Sequence, residues 1–388
     1  MATLDEIRNE ITQLDADLLA LLARRRELSL EVARSKRADQ RPIRDTHREQ
    51  DLLVRLIQQG RALGLSAQYV TQLYHLVIED SVLTQQDYLQ RLANPMQAAD
   101  ETSVAYLGPL GSYSSLAARK YLGRYAQVSE HSCSNFAQVI EAVESGRCQF
   151  GVLPIENTSS GSINEVYDLM QQTSLSIVGE LTYPIEHCLL VAVPTELAAI
   201  DTLYGHPQPL QQCSRYLAQH PDIHHVFCDS SSAAMAKVQA LASPNVAAIG
   251  SADGGKLFGL TSIASGLANQ QENMTRFIVV AREPIEVVPQ VPAKTTLIMS
   301  TNQYAGALVE VLLVLRNHQI NMTKLESRPI QGNPWEEMFY MDVAVNLHSE
   351  AMQRALQELY PLTRSLKVLG CYPSEDVAPT EIAPALLP

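Results

Sequence analysis

The stretch TLDEIRNEITQLDADLLALLARRRELSLEVARSK, residues 3–36, decides the fold of the first part of the chain. Its apolar residues recur at alternating steps of four and three, which is the heptad pattern of a helix that packs along its length. This apolar seam consists of Ile7, Ile11, Leu14, Leu18, Leu21, Leu28 and Val32. Arg25 occupies a position of the same seam where a leucine belongs.

The predicted helix has a clear start and a clear stop. Thr3 and Glu6 match a capping box, and Pro42 ends the helix near residue 40. Roughly 37 residues at a rise of about 1.5 Å per residue predict a helix about 55 Å long, far longer than a small domain is wide. Such a helix needs a partner, and the simplest partner is a second copy of the chain.

Arg25 gives the first indication of function. A buried, unpaired guanidinium costs several kcal/mol, so we expect an anion beside it. Arg8 and Lys36 lie at one edge of the seam, too far apart on one chain to meet, but an antiparallel partner would bring its own Arg8 towards Arg25 and Lys36. The alternative is a plain dimeric coiled coil in which Arg25 extends into solvent.

Two further helices are expected, one from Asp45 and one from about Ser66 to Arg91. They add the polar side chains Arg48, Glu49, Ser81 and Gln85. Cations, an amide and a hydroxyl, without a nucleophile set, suit a reaction that needs shape and charge more than covalent catalysis. The first 92 residues carry 13 basic and 14 acidic side chains, which argues against nucleic acid as a ligand.

The composition indicates a globular protein of two or three domains. The chain has 388 residues, 46% of them hydrophobic, a net charge of −13 and no apolar run long enough to span a membrane. Its N-terminus lacks the pattern of a secretory signal, and its six cysteines form no CxxC pair. We therefore expect a cytoplasmic protein without a metal site or a membrane partner.

Beyond NPMQAAD (94–100), which is typical of a linker, short apolar strands alternate with helices. Strands are expected at 103–107, 150–153, 188–193, 246–249 and 277–281, and helices at 115–122, 136–144 and 231–241. This alternation predicts a mixed or parallel sheet with covering helices in two lobes, with ligands at the strand ends. The turn GPLGSYS (108–114) lacks the lysine of a phosphate loop, and no GxGxxG occurs, so no nucleotide cofactor is expected.

The last part of the chain has a different order of elements. We expect a strand at 295–300, a helix at 306–318, strands at 322–327 and 337–345, a helix at 349–365 and a strand at 367–372. This β-α-β-β-α-β order is typical of a ferredoxin-like α+β domain.

Several motifs in this order resemble those of the bifunctional chorismate mutase-prephenate dehydratase family of phenylalanine biosynthesis. The resemblance covers essentially the whole chain, and its strongest stretches are RPIRDTHRE (41–49), EDSVLTQQ (79–86), GPLGSYS (108–114), GVLPIENTSSG (151–161), MTRF (274–277), GALVEVLLVLRNH (306–318) and ESRPIQGNPWEEMFY (326–340). It implies an all-helical chorismate mutase domain (1–92), a two-lobed α/β prephenate dehydratase domain (103–285) and an ACT regulatory domain (293–373).

For the mutase, the resemblance implies a pericyclic rearrangement of chorismate without a covalent intermediate. Arg25 and the partner's Arg8 would hold the two carboxylates, and Lys36 and Gln85 would bind the ether oxygen. Glu49 and the backbone at Asp45 would bind the ring hydroxyl. Arg48 and Ser81 would add further contacts to the carboxylates.

For the dehydratase, the resemblance implies that Thr275 donates to the hydroxyl that leaves prephenate and that Arg276 binds a carboxylate. Judged alone, Thr275 would pack locally and Arg276 would pair with a surface acid. The implied cleft residues are Glu156, Asn157 and Gln212. Gly205 is a departure, because relatives often carry serine there, and Tyr204 is a neighbour whose hydroxyl could replace it.

The C-terminal motifs imply feedback inhibition by L-phenylalanine, bound across a dimer interface. The implied contacts are GALV (Gly306, Ala307, Leu308 and Val309) and ESRP (Glu326, Ser327, Arg328 and Pro329), with Trp335 as a reporter of binding. The alternative is a domain that serves packing alone. The predicted assembly is a homodimer or a higher homo-oligomer.

Three alternative functions follow from the same sequence. A fused prephenate dehydrogenase is disfavoured because no dinucleotide fingerprint occurs. A non-catalytic amino acid sensor would have no need of Arg25, Lys36, Gln85, Asn157 and Thr275. A monofunctional dehydratase with a helical dimerisation arm is disfavoured by the full set of cations in that arm.

Overall fold

The computed structural model describes residues 3–39, 41–95, 101–123, 125, 127–270, 272–330 and 336–375. Trp335 and residues 96–100 of the expected linker lie outside these described residues. Within the described ranges, every helix is too short or too polar to cross a membrane. All six cysteines are free thiols.

Three helices form the first part of the chain: α1 (Leu4–Ala38), α2 (Thr46–Ala62) and α3 (Ala67–Ala93). The predicted capping box at the start of α1 is confirmed, because Thr3 and Glu6 each accept the other's backbone N–H through their side chains. α1 packs against α3. Its apolar seam nevertheless stays in solvent, with exposed fractions from 37% at Val32 to 68% at Leu21. A single chain therefore leaves most of this apolar face uncovered.

A six-stranded sheet follows. Its strands are β1 (Glu101–Leu107), β2 (Gln127–Cys133), β3 (Phe150–Asn157), β4 (Gly161–Ser162), β5 (Ser176–Pro184) and β11 (Met274–Ala281), with helices α4 (Tyr113–Leu122), α5 (Phe136–Glu144) and α6 (Asn164–Gln172). The strand order is β2-β1-β3-β11-β5, with β4 paired to β3. β1 is parallel to β2 and β3, whereas β11 is antiparallel to β3 and β5. The chain leaves this sheet after β5 and returns to its interior as β11.

The segment between β5 and β11 forms a second, five-stranded sheet. Its strands are β6 (Cys188–Val191), β7 (Thr202–Gly205), β8 (His224–Phe227), β9 (Val246–Gly250) and β10 (Thr261–Ala264), with helices α7 (Pro207–Gln212), α8 (Ser214–Leu217), α9 (Ser231–Leu241) and α10 (Ala252–Leu257). The order β10-β6-β9-β7-β8 mixes parallel and antiparallel pairs. The predicted two-lobed mixed α/β architecture is confirmed.

The last sheet has the predicted β-α-β-β-α-β order. Its elements are β12 (Ala293–Thr301), α11 (Ala307–Asn317), β13 (Met322–Pro329), β14 (Glu337–Val343), α12 (Glu350–Leu362) and β15 (Thr363–Pro373). The strand order β13-β14-β12-β15, antiparallel throughout, is the ferredoxin-like arrangement and leaves β13 at one edge. One face of this sheet packs on the first sheet, where Tyr340, Leu369 and Tyr372 join the core of β3 and β5.

The helical region rests on the connection between β11 and β12. Ile43, Leu53 and Leu89 share a core cluster with Val287 and Val291 of that connection. Asn94 holds the backbone of Glu286 from both sides, donating to its carbonyl and accepting from its N–H, each at 2.9 Å. The helices are therefore attached where the first sheet passes into the C-terminal one.

Several strand bounds differ from the prediction, and two of these differences matter for the site. β3 continues to Asn157, although the sequence predicted a loop from Pro154, and β11 starts at Met274 instead of Phe277. The apolar pattern stops early in both strands because their paired ends carry polar residues on both faces. The edge strand β2, which is largely polar, was missed for the same reason.

We predict that Gly370→Ala destabilises the protein by about 2 kcal/mol or more, because added atoms in a well-packed interface force the backbone to shift. A Cβ on Gly370 in β15 would lie 2.1 Å from the carbonyl oxygen of Ile177 in β5, a backbone atom that cannot rotate away. Urea unfolding measures the change. Gly123→Ala is the matched control, because its nearest neighbour lies at 3.4 Å. Equal stability of the two variants would contradict the tight approach of β15 to β5.

Candidate active sites

A cavity of 240 Å³ lies among the three N-terminal helices. It brings together seven of the eight residues that the sequence implied for the mutase: Arg25, Lys36, Asp45, Arg48, Glu49, Ser81 and Gln85. The apolar part of its wall includes Leu28, Val32 and Ile78. Residues that are 60 positions apart in sequence thus meet in one pocket, because α1 packs beside α3 and α2 closes the end.

Hydrogen bonds hold the polar wall of this cavity in place. Arg25 donates from Nη1 to the carbonyl of Val77 at 3.0 Å, which keeps its guanidinium at the cavity rather than in solvent. Ser81 Oγ lies 2.7 Å from Ser29 Oγ and accepts from the Gln85 amide at 3.3 Å. Gln85 is buried, and its Oε1 has no hydrogen-bond partner among the described residues.

The cavity concentrates positive charge. Lys36 donates from Nζ to the carbonyl of Ile43. Burial lowers the pKa of Lys36, and the neighbouring cation of Arg48 lowers it further. Asp45 caps α2 by accepting from the backbone N–H of Arg48, and Glu49 forms an ion pair of 3.0 Å with Arg44. A negatively charged ligand would relieve the repulsion between Lys36 and Arg48.

Arg8 is the one implied mutase residue outside the cavity. Its side chain is 68% exposed, and the side chain of Asp5, with which it pairs at 3.7 Å, is 88% exposed. It lies about 25 Å from Arg25 along α1, at a rise of about 1.5 Å per residue. One chain therefore holds an incomplete set of the implied residues.

A larger cleft of 710 Å³ lies between the first and second sheets. The first sheet contributes Asn157 and Thr275 to its wall, and the second lobe contributes His206 and Gln212. The turn GPLGSYS forms a further side. Tyr204 and Gly205 are not among the described residues that line the cleft. The Tyr204 hydroxyl therefore does not take the place of the serine that relatives often carry at position 205.

Asn157 and Thr275 form a cross-strand pair at the ends of β3 and β11. Asn157 Oδ1 accepts from the backbone N–H groups of Ser159 and Ser160 at 2.9 Å, which fixes the orientation of the amide. Its Nδ2 then donates to Thr275 Oγ1 at 2.9 Å. Because the threonine oxygen accepts this hydrogen bond, the threonine proton can be donated into the cleft.

Gln212 is oriented by residues that the sequence analysis missed. Its Oε1 lies 2.7 Å from Nε2 of the buried His187, and Nδ1 of His187 lies 3.2 Å from the Tyr113 hydroxyl. Burial lowers the pKa of His187 and so favours the neutral imidazole. This arrangement leaves the NH₂ group of Gln212 for a ligand. Tyr113 lay within the quoted GPLGSYS turn, but nothing in the sequence singled out His187.

The cleft differs from the helical cavity in its charge. Among the described residues that line it, none is lysine or arginine. Instead, two helices begin at its wall: α4, capped by Ser112, and α9, capped by Ser230. The free N–H groups and the dipole at a helix N-terminus favour an anion. One helix comes from each lobe, so a ligand with two carboxylates would bridge them.

Two residues implied for this cleft lie elsewhere. Arg276 and Glu156 are the strand neighbours of Thr275 and Asn157, and alternate residues of a strand face opposite sides of the sheet. Arg276 instead forms buried ion pairs with Glu156, Glu180 and Asp342 at 2.6 to 3.0 Å. The prediction that Arg276 binds a substrate carboxylate, and that Glu156 lines the cleft, is therefore corrected.

The two C-terminal motifs lie on different elements. Gly306 caps α11 in a left-handed conformation with φ of 93°, and Ala307, Leu308 and Val309 form the first turn. Glu326, Ser327, Arg328 and Pro329 end the edge strand β13. Arg328 forms a two-pronged ion pair with Asp168 of α6, so its charge is matched within the chain.

Two family models match the chain: chorismate mutase type II over residues 7–86 and prephenate dehydratase over residues 104–285. A bifunctional chorismate mutase/prephenate dehydratase from Enterobacter agglomerans is 59% identical over 97% of both chains.

Two solved structures are similar in fold. GqqA, described as a novel type of quorum quenching acylase, is 30% identical with a TM-score of 0.63, over 70% of this chain and 98% of that one. Prephenate dehydratase from Arthrobacter aurescens, in complex with L-Phe, is 25% identical with a TM-score of 0.61, over 73% of this chain and 94% of that one. Because the chain is 59% identical to the Enterobacter protein over nearly its full length, and because both family models match, it belongs to the bifunctional chorismate mutase/prephenate dehydratase family.

Proposed function

We propose that the helical cavity is the chorismate mutase site of this bifunctional enzyme and that the cleft between the two sheets is its prephenate dehydratase site. The first reaction rearranges chorismate to prephenate, and the second converts prephenate to phenylpyruvate with loss of water and carbon dioxide. The proposed domains are 1–92, 103–285 and 293–373. The observation that carries the proposal is the meeting of seven implied mutase residues in one cavity.

In the mutase site, Arg25 and the partner's Arg8 hold the two carboxylates of chorismate, supported by Arg48 and Ser81. Lys36 and Gln85 bind the ether oxygen as its bond breaks. Glu49 and the backbone at Asp45 take the ring hydroxyl. No covalent intermediate is needed, since a millionfold acceleration requires only about 8 kcal/mol, which fixed charge and orientation can supply.

The mutase site is shared between two chains. The apolar seam of α1 is exposed in one chain, and a second copy of α1 packed antiparallel would bury it. The same arrangement carries Arg8 to the cavity of the other chain. A homodimer would therefore both bury the exposed apolar face and complete the mutase site.

In the dehydratase site, the Thr275 hydroxyl donates to the oxygen that leaves the ring of prephenate, while the ring carboxylate departs as carbon dioxide. Asn157 orients Thr275 through its hydrogen bond of 2.9 Å. The N-termini of α4 and α9, with the NH₂ group of Gln212, hold the substrate carboxylates. Binding by neutral N–H groups suits a reaction in which one of the bound carboxylates loses its charge.

The C-terminal domain is an ACT domain that binds L-phenylalanine and inhibits the dehydratase. Support comes from the GALV and ESRP motifs and from the L-Phe complex of the Arthrobacter dehydratase. Gly306 exposes the N–H groups that begin α11 to the carboxylate of the amino acid. ESRP lies on an edge strand, where a second copy can approach and complete the pocket.

Other functions are less well supported. A non-catalytic sensor is excluded by membership of an enzyme family whose two family models both match. The acylase activity named for GqqA is not extended to this chain, because a shared fold does not determine the reaction.

We predict that Arg8→Ala and Arg25→Ala each lower mutase activity by about 100-fold or more, because a desolvated carboxylate loses its cation. A mixture of the two inactive variants, after subunit exchange, should regain about a quarter of wild-type activity, because half the dimers carry one intact site. Chorismate consumption measures both effects.

Arg24→Ala is the matched control, because Arg24 is 62% exposed and pairs with Glu27 on the solvent face of the same helix. Dehydratase activity of each variant reports on folding. A mixture that stays inactive would contradict the shared site, and an active Arg25→Ala variant would contradict the whole assignment.

We predict that Thr275→Ala lowers kcat for prephenate by about 100-fold with little change in KM, because the lost donor acts on the leaving oxygen in the transition state. Thr275→Ser should retain substantial activity. Thr261→Ala, at an exposed position of β10, is the control. Phenylpyruvate formation is the measurement, and wild-type kcat in Thr275→Ala would refute the role of Thr275.

We predict that L-phenylalanine inhibits the dehydratase and that Gly306→Ala raises the half-inhibitory concentration about tenfold, because a methyl group disturbs hydrogen bonds to a charged carboxylate. Gly266→Ala is the matched control, because Gly266, like Gly306, has a positive φ and open space around it. Titration calorimetry measures binding separately from inhibition. No heat and no inhibition in the wild type would refute the regulatory role.

A further inference from the structure

A buried hydroxyl in the helical cavity has no part in the proposed mechanism. Ser29 lies on α1, one turn after Arg25, and lines the cavity beside it. Its exposed fraction is 6%, and Ser29 and Ala33 are the two buried residues of α1. Residues four apart lie on one face of a helix, and the contact of Ser29 with Ser81 shows that this face is turned to α3. Ser29 therefore lies where α1 and α3 meet beside the cavity.

Packing alone does not account for the Ser29 hydroxyl. Alanine fills the equivalent buried position one turn later, at residue 33. Alanine is also the better helix former, and a serine that donates to the carbonyl one turn earlier slightly destabilises a helix. Ser29 makes this bond, from Oγ to the Arg25 carbonyl at 3.1 Å. Stability would favour alanine at position 29, so the hydroxyl is better explained by its contacts in the cavity.

The Ser29 hydroxyl ends a chain of three hydrogen-bonded side chains. Gln85 Nε2 donates to Ser81 Oγ at 3.3 Å, and Ser81 Oγ lies 2.7 Å from Ser29 Oγ. A carbonyl oxygen can only accept, so Ser29 donates its proton to the Arg25 carbonyl and accepts the proton of Ser81. Both hydroxyl protons are thus directed along the chain to the backbone of α1.

This direction of the chain leaves Ser81 without a proton for a ligand. A hydroxyl has one proton, and a carboxylate only accepts hydrogen bonds. Ser81 can therefore donate to a substrate carboxylate only if Ser29 turns and becomes the donor to Ser81. The turn costs little, because the Arg25 carbonyl keeps its helical hydrogen bond from the backbone N–H of Ser29.

The same turn releases a donor on Gln85. Its Nε2 also donates to the Ser81 carbonyl at 3.0 Å, so both hydrogens of the amide group are directed to Ser81. Gln85 is buried, and its Oε1 has no partner among the described residues, which leaves little else to hold the amide. When Ser29 supplies a proton to Ser81 Oγ, one hydrogen of Gln85 becomes available for the ether oxygen.

We infer that Ser29 is a positioning residue of the mutase site, and that its hydrogen bond with Ser81 reverses direction when a substrate carboxylate binds. The inference rests on the proposed mutase function of the cavity and on the proposed contact of Ser81 with a carboxylate. Ser29 acts through Ser81 and Gln85 and needs no contact with the substrate. Alanine at position 29 could neither accept from Ser81 nor donate to it.

The test is a double-mutant cycle of Ser29→Ala and Ser81→Ala in the full-length protein, with chorismate consumption as the measurement. Ser29→Ala should lower kcat/KM about fivefold, which is the effect of one neutral hydrogen bond. In the Ser81→Ala background the same change should alter kcat/KM less than twofold, because no hydroxyl is left to position. Ser35→Ala, at an exposed position of the same helix, is the matched control and should have wild-type kcat/KM.

Stability and dehydratase activity distinguish positioning from a structural role. The urea midpoint of Ser29→Ala should be unchanged or higher, because alanine is the better helix former, while its mutase activity falls. Its dehydratase activity should be that of the wild type. A wild-type kcat/KM in Ser29→Ala, an equal fivefold loss in the Ser81→Ala background, or a parallel loss of both activities with a lower midpoint would each overturn the inference.

The variants also separate this inference from the proposed function. An active Arg25→Ala would refute the mutase assignment of the cavity, and the role of Ser29 would fall with it. An inactive Arg25→Ala beside a wild-type kcat/KM in Ser81→Ala would refute the contact of Ser81 and the role of Ser29 together. Impaired Arg25→Ala and Ser81→Ala beside a fully active Ser29→Ala would refute the positioning role alone.

Discussion

The pairing of β3 with β11 is the constraint on which the dehydratase half of the molecule depends. The two strands are more than 100 residues apart in sequence, and the whole second lobe lies between them. Their antiparallel register places Asn157 opposite Thr275 and Glu156 opposite Arg276. Because side chains alternate along a strand, one pair faces the cleft and the other faces the C-terminal sheet. A slip of one residue would exchange a polar cleft for a buried ion cluster.

The two proposed sites bind anions by different physical means. The helical cavity gathers Arg25, Lys36 and Arg48 at the cost of mutual repulsion, which depresses the pKa of Lys36 beyond the effect of burial. The cleft offers helix N-termini and amides and, in its described wall, no cationic side chain. Full positive charges suit a ligand that keeps both carboxylates, whereas neutral donors suit one that loses a carboxylate.

Much of this arrangement could be predicted from sequence, and the failures have a physical pattern. The helical seam, the capping box at Thr3 and the βαββαβ order depend on local periodicity, and the structure has all three. The family resemblance placed Arg276 in the cleft, whereas the alternation of side chains along β11 puts it on the face opposite Thr275. His187 gave no signal, because its partners Tyr113 and Gln212 come from distant segments.

The uncovered seam of α1 has a consequence for the kinetics of the whole protein. The proposed dehydratase cleft is built within one chain, whereas the proposed mutase site requires two. On dilution, the mutase activity would decline with the fraction of chains that have found a partner, while the dehydratase activity would stay proportional to the amount of protein. The ratio of the mutase rate to the dehydratase rate, measured in a single reaction mixture, would then report the fraction of chains in dimers without a label.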